Sequence, residues 1–255
     1  MLPLTFLICV ATLGGLCLGS FLNVVAYRLP AGVSLVSPGS ACPGCGTAIR
    51  PYDNVPVISW LALRGHCRAC DTEISARYPL TEAATGLLFG AVVLATHAHA
   101  QLWLDLCFVA ALVAITRIDL EHRIIPNRIL ALLAVSAIAL TAVVAPGELP
   151  ARLISAAAGG GLLLIAALAY PGGMGMGDVK LAAVMGLVLG PALAPALLVS
   201  FLAGSIAGVA VIARRGIAAG RKTAIAFGPF LALGGLVGLF AGHLIIHGYL
   251  KAVGL

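Results

Sequence analysis

The sequence predicts an all-α fold: a polytopic bundle of about eight transmembrane helices with one small cytoplasmic loop domain between the first two. Composition is the first reason. The 255-residue chain is 61% hydrophobic and 9% charged, with a mean hydropathy of +1.11, whereas a soluble domain carries about 25% charged residues. The second is length: several apolar runs reach the roughly 17 to 25 residues that a helix needs to cross a bilayer. The third is the lack of alternation. Outer-membrane barrels show strands of about ten residues alternating in hydrophobicity, and none is visible here. Backbone groups cannot go unpaired in lipid, so helices are the expected spanning element.

The first span lies near 4–26, within "MLPLTFLICVATLGGLCLGSFLNVVAYR". No basic segment precedes its apolar stretch, which is too long for a typical secretory signal, so it reads as a retained span. Residues 28–79 follow as the one sizeable polar segment, rich in Pro and Gly. Further spans are expected near 80–98, 102–118, 128–146, 152–170, 179–194, 196–213 and 224–247, with the turns "APGELP" and "GPALAP" inside two of the pairs. No fixed-period repeat is seen. The small residues of "AAAGGG" at 156–161 suit close helix–helix approach in lipid.

Positive charge sets the orientation. With the N-terminus outside, the inner side receives thirteen of the fifteen Lys and Arg residues, including Arg28, Arg117, Arg123, Lys180, Arg214, Arg221 and Lys222. Only Arg152 and Lys251 fall outside. This bias follows the positive-inside rule. Topology and anionic lipid therefore account for the net charge of +6, and no nucleic-acid partner is needed.

The polar segment holds "CPGCG" at 42–46 and "CRAC" at 67–70, two C-x-x-C pairs with 21 residues between them. Each pair places two thiolates on one side of a tight turn, and together Cys42, Cys45, Cys67 and Cys70 can complete a tetrahedral zinc site. Such a site leaves no open coordination position, so its role is structural, closing a loop too polar to build its own core. A redox or disulfide pair is the competing reading, and cytosolic placement argues against stable disulfides. His66, beside Cys67, could replace one cysteine as ligand. Cys9, Cys17 and Cys107 sit inside apolar runs and read as buried small hydrophobes.

Two of the nine acids stand apart. Asp119 lies in "ITRIDLEHRIIPNR" at the inner end of the third span, and Asp178 lies in "GMGMGDVKL" at the inner start of the sixth. Carboxylates at the membrane are functional hypotheses by default. If the two meet, both cannot ionise easily, so one keeps a proton while the other stays charged. The charged one can activate a water and the neutral one can hydrogen-bond a scissile carbonyl, as in aspartic proteases. Gly173, Gly175 and Gly177 would let an extended substrate backbone approach Asp178 and would permit positive φ in the turn. A plainer reading stays open: Asp178 near the N-cap of the sixth helix, and Asp119 paired with Arg117 or Arg123. Lys180, on another face of its helix, is expected to meet phosphate or lipid.

These segments resemble the motifs of type IV prepilin peptidases. "GMGMGDVKL" resembles the family's G-x-G-D motif and "IDLEHRIIPN" its first aspartate motif. "GSFLNVVAYRLP" at 19–30, the cysteine pairs, "RYPLTEAATGLLF" at 77–89 and "FGPFLALG" at 227–234 are similar to further family segments in the same order. The resemblance implies an enzyme of the cytoplasmic (inner) membrane with Asp119 and Asp178 as catalytic acids at its inner edge. Residues 1–100 would be the N-terminal region with the zinc-type loop, and 101–255 the aspartyl peptidase domain. The implied substrates are type IV prepilins or type II secretion pseudopilins, cut after a glycine behind a basic leader. The four cysteines favour members that also N-methylate the new terminus with S-adenosylmethionine, although no binding fingerprint for that cofactor is visible. Asn23 and Glu82, polar groups near the membrane within matched motifs, are candidates for the methyl-transfer role, with structural hydrogen bonding as the alternative. The alternatives are a peptidase without methyltransferase activity, a polytopic transporter, which predicts related halves that the hydropathy does not show, and a non-catalytic assembly factor.

Overall fold

A computed structural model describes residues 3–96, 99–170, 173–216, 223 and 225–254. Arg221 and Lys222 of the inner basic set lie outside the described residues. The described residues form nine α-helices: α1 (Leu4–Arg28), the short α2 (Ile58–Ala62), α3 (Arg77–Ala95), α4 (His99–His122), α5 (Asn127–Val144), α6 (Leu149–Ala169), α7 (Met176–Leu189), α8 (Leu193–Arg215) and α9 (Gly228–Ala252). Strand geometry among them is confined to two isolated bridges. Helix ends follow local chemistry. Pro150 and Pro229 stand in the first turns of α6 and α9, and Gly216, at φ +78, ends α8, as expected for Pro at helix starts and Gly past helix ends.

The chain divides into two compact units, Met1–Leu102 and Trp103–Leu255. In the first unit α1 and α3 run antiparallel with their backbones nearly touching. A Cβ on Gly15 would lie 2.8 Å from the Gly86 Cα, and one on Gly19 would lie 2.7 Å from the Glu82 Cα. Lipid tails are as apolar as leucine, so close van der Waals packing of this kind, rather than the hydrophobic effect, holds helices together in a bilayer. Cys9, Cys17 and Cys107 do not join such seams. They are exposed on helix surfaces, not buried as their apolar runs suggest.

In the second unit, α4, α5, α7, α8 and α9 share a core that includes Phe108, Leu112, Ile115, Leu181, Met185, Ala196 and Leu231. Among the described residues, seven stretches are long and apolar enough to cross a membrane, with Met176–Arg215 counting as one. Glycine contacts show that this run is two helices. Gly235 and Gly238 of α9 face Met185 and Leu189 of α7, so α7 and α9 run parallel. Gly234, Gly238 and Gly242 face Ser200 and Ala196 of α8 and Ala192 just before it, so α8 runs back. The chain reverses at the 3-10 turn Gly190–Ala192, where Gly190 takes φ +56, a value only glycine adopts freely. Among the described residues eight long apolar helices result, in line with the sequence. Of the "AAAGGG" run, Gly159 and Gly160 press against α7, α8 and their connection, through Ala182, Ala183 and Leu193, while Gly161 meets nothing within 4 Å.

Candidate active site and metal centre

The parallel pairing of α7 and α9 brings their N-termini to one end of the second unit. The antiparallel contact of α4 with α9 (Leu112 against Gly235, Asp119 against Gly228) brings the C-terminus of α4 to the same end. Asp119 sits in the last turn of α4. Arg123, at φ +54, closes that helix, its N–H donating to the Asp119 carbonyl at 2.9 Å. The Asp119 carboxylate is 5% exposed, and its Oδ2 accepts the Gly228 backbone N–H at 2.9 Å. Arg117 pairs with Glu121 at 3.0 Å, so the plainer pairing of Asp119 with Arg117 is not made.

Asp178 is 9% exposed. Gly175 is the N-cap of α7, which puts Asp178, expected near the cap, at the third helical position. There its carboxylate interacts electrostatically with the Gly175 backbone. Asp178 also interacts electrostatically with Asp119. Two contacts lock the motifs together. Ile125 covers Gly177, where a Cβ would lie 2.9 Å from the Ile125 Cβ. Lys180 Nζ donates to Asn127 Oδ1 at 3.0 Å, so the lysine expected to meet phosphate or lipid is instead a clasp between α7 and α5.

The glycines are used differently from the sequence expectation. Gly175 is extended at φ −76, ψ 141 and Gly177 is helical, so neither uses positive φ. Gly177 makes room for Ile125, and Gly173 for the Tyr170 ring, whose Cδ1 would lie 2.2 Å from an added Cβ. Gly175 is exposed and borders the carboxylate itself, its would-be Cβ 3.2 Å from Asp178 Oδ2. Sequence reasoning missed Gly228. The available signal was Gly-Pro at the start of the last helix, which reads as a helix start and does not reveal that its amide serves an acid 109 residues away.

Within the first unit the two cysteine pairs form matching turns. Cys42 N–H donates to the Thr47 carbonyl and Gly46 N–H to the Cys42 carbonyl, both at 2.9 Å. Cys67 N–H donates to the Thr72 carbonyl at 2.9 Å and Asp71 N–H to the Cys67 carbonyl at 3.0 Å. Gly46 and Asp71, at φ +71 and +58, occupy the same place in each turn. A short structural repeat, CPGCGT and CRACDT, thus lies where the sequence showed no fixed period. The four sulfurs lie within 4.8 Å of one another, Cys42 Sγ and Cys70 Sγ being 3.7 Å apart. Sulfurs placed tetrahedrally about 2.3 Å from a zinc ion would be about 3.8 Å apart. The cluster fits a metal ion, with four cysteines and no place for His66, whose Nδ1 is 2.8 Å from the Arg64 carbonyl oxygen.

The surroundings favour thiolates. The Thr47 hydroxyl and N–H lower the Cys45 thiol below its ordinary value, the N–H groups of Ala69 and Cys70 lower Cys67, and the Thr72 hydroxyl and N–H lower Cys70. Cys42 also receives the Cys45 and Gly44 N–H groups, but desolvation and the sulfurs of Cys67 and Cys70 outweigh them and push it up to about 11. Crowded sulfurs of this kind release protons when a dication binds. Outside the cluster, Arg68 grips Asp53 through two nitrogens at 2.6–3.1 Å and holds that carboxyl below its usual value.

Residues 13–96 match the bacterial peptidase A24 N-terminal domain, and residues 106–213 match the type IV leader peptidase family. The chain is 36% identical to a protein of Pseudomonas aeruginosa named prepilin leader peptidase/N-methyltransferase, over 99% of this chain and 96% of the relative. Proteins of the same name from Stutzerimonas stutzeri and Bacillus subtilis are 35% and 33% identical, covering 98% and 93% of this chain and 95% of each relative. No solved structure matches.

Proposed function

The chain belongs to the type IV leader peptidase family, and from that premise we propose that it is a membrane aspartic endopeptidase that removes the leader of prepilins or pseudopilins and N-methylates the new terminus. The observation that carries the peptidase reading is that Asp119 and Asp178, two buried carboxylates from different helices, lie at one end of the second unit and interact electrostatically. In the proposed reaction the pair shares one proton. The charged carboxylate takes a proton from a water, whose oxygen attacks the carbonyl carbon of the leader's last residue, a glycine. The protonated carboxyl hydrogen-bonds that carbonyl oxygen and then supplies the proton to the leaving amine. The Gly228 amide holds the Asp119 carboxylate through a hydrogen bond. Gly175, exposed beside Asp178, leaves space for an extended substrate backbone, as the sequence suggested for the wider glycine run of Gly173, Gly175 and Gly177.

By the positive-inside rule this end of the bundle faces the cytoplasm of a cell with a single or inner membrane, where a short basic leader would wait. The domain reading of 1–100 and 101–255 accompanies this proposal. Cys42, Cys45, Cys67 and Cys70 would hold a structural zinc ion that closes residues 28–79. S-adenosylmethionine would supply the methyl group.

The testing experiment is mass spectrometry of a prepilin exposed to the purified protein in detergent. The expected product begins at the residue after the leader glycine and carries one added methyl when S-adenosylmethionine is present. An intact prepilin, or a cut elsewhere, overturns the reading. Elemental analysis is expected to give about one zinc per chain, the stoichiometry of a four-thiolate site. The Cys42→Ser variant should retain only a small fraction of it and melt at lower temperature. Full occupancy in that variant would remove the proposed ligand set.

A further inference from the structure

The acid pair leaves two buried polar groups of the first unit unused. Asn23 of α1 and Glu82 of α3 lie on one helix seam. Asn23 Nδ2 donates to the Tyr78 carbonyl, one turn before Glu82, at 3.2 Å. Gly19, one turn before Asn23, abuts the Glu82 backbone. The two side chains are 5% and 8% exposed. Asn23 Oδ1 is buried and has no hydrogen-bond partner among the described residues. Glu82 Oε2 accepts the Val57 N–H at 2.7 Å, and no cation pairs with Glu82 among the described residues. Val57 makes that bond from φ +61, ψ −50, a conformation that strains a β-branched residue.

Each of these features is costly alone. An unsatisfied buried acceptor costs about 1–3 kcal/mol, and a buried carboxylate without a cation costs several kcal/mol. Together they define a site that accepts hydrogen bonds and favours positive charge. The ligand that satisfies both is a primary amine or ammonium group, with two or three N–H donors on one atom. On the function proposed above, leader cleavage creates such a group, the α-amine of the mature chain. We infer that Glu82 and Asn23 form the site that receives the new N-terminal amine for methylation. Asn23 Oδ1 accepts one N–H and the Glu82 carboxylate accepts another, which fixes the nitrogen and aims its lone pair. The nitrogen lone pair forms a bond to the methyl carbon of a sulfonium donor. The carbon–sulfur bond breaks, its electron pair stays on sulfur as a neutral thioether, and the displaced N–H proton passes to the Glu82 carboxylate.

The test uses the full-length protein in detergent and has a binding arm without any methyl donor. A mature-sequence peptide with a free α-amine is compared with its N-acetylated form by thermophoresis. The wild type should prefer the free amine by about 10-fold or more, the scale of a charged hydrogen bond. Glu82→Gln and Asn23→Ala should lose that preference. In the activity arm, both variants should cleave prepilin at the wild-type rate and hold full zinc, with methyl incorporation reduced by about 10²-fold. If Glu82→Gln fails to fold, as zinc content and cleavage would reveal, Asn23→Ala decides. Retained amine preference in a folded variant overturns the inference, even if methylation falls, because the residues would then act on the donor or the fold. Absent cleavage by the wild type would count against the peptidase reading instead.

Discussion

Asp119→Asn and Asp178→Asn should each lower leader cleavage by about 10³-fold or more. Both acids are needed for one proton-transfer cycle, so each single loss stops it, and the double variant should be little worse than either one. Asparagine keeps the volume and one carbonyl oxygen. At position 119 that oxygen can still accept the Gly228 N–H, so the bundle should stay intact. The measurement is single-turnover cleavage of a synthetic prepilin, with thermal melting as the folding check. Near-wild-type turnover by either asparagine variant would end the acid-pair mechanism.

The second large effect is expected from a residue that carries no side chain. A Cβ at Gly228 would lie 2.7 Å from Asp119 Oδ2 and 3.1 Å from its Cγ. Gly228→Ala must therefore shift the carboxylate or its helix. A misplacement of about 1 Å at a reacting group costs about 10²-fold in rate, so kcat should fall by that order while KM changes little. Gly161→Ala and Gly208→Ala are the controls, because nothing lies within 4 Å of a Cβ at either position. A Gly228→Ala enzyme that turns over like these two would show that the tight contact does not govern the acid.

Hydropathy made the helices legible because membrane solvation acts on every residue of a span. The cysteine spacing made the four-sulfur cluster legible because a tight turn fixes where two thiols point. Other features depend on partners far along the chain, and local pattern does not encode them. Gly177 shows this well. Its lack of a side chain suggests room for substrate, yet Ile125 occupies that space. Lys180 looked free for phosphate until the first residue of α5 supplied Asn127. The orphan oxygen of Asn23 appears only once α3 is packed against α1. Convergence of Asp119 and Asp178 was plausible from their shared depth. The level at which α4, α7 and α9 meet comes from helix contacts that no single segment reveals.

The glycine ladder of α9 has a consequence for how the acids keep their alignment. Gly234, Gly238 and Gly242 bring its backbone directly onto α8, with almost no deformable side chain between. An amide at the head of such a rail inherits its place from the helix core, whatever the preceding linker does. Evolution can then lengthen, shorten or recolour the connection ahead of Gly228 to suit different substrates, while the donor that steadies Asp119 stays in register.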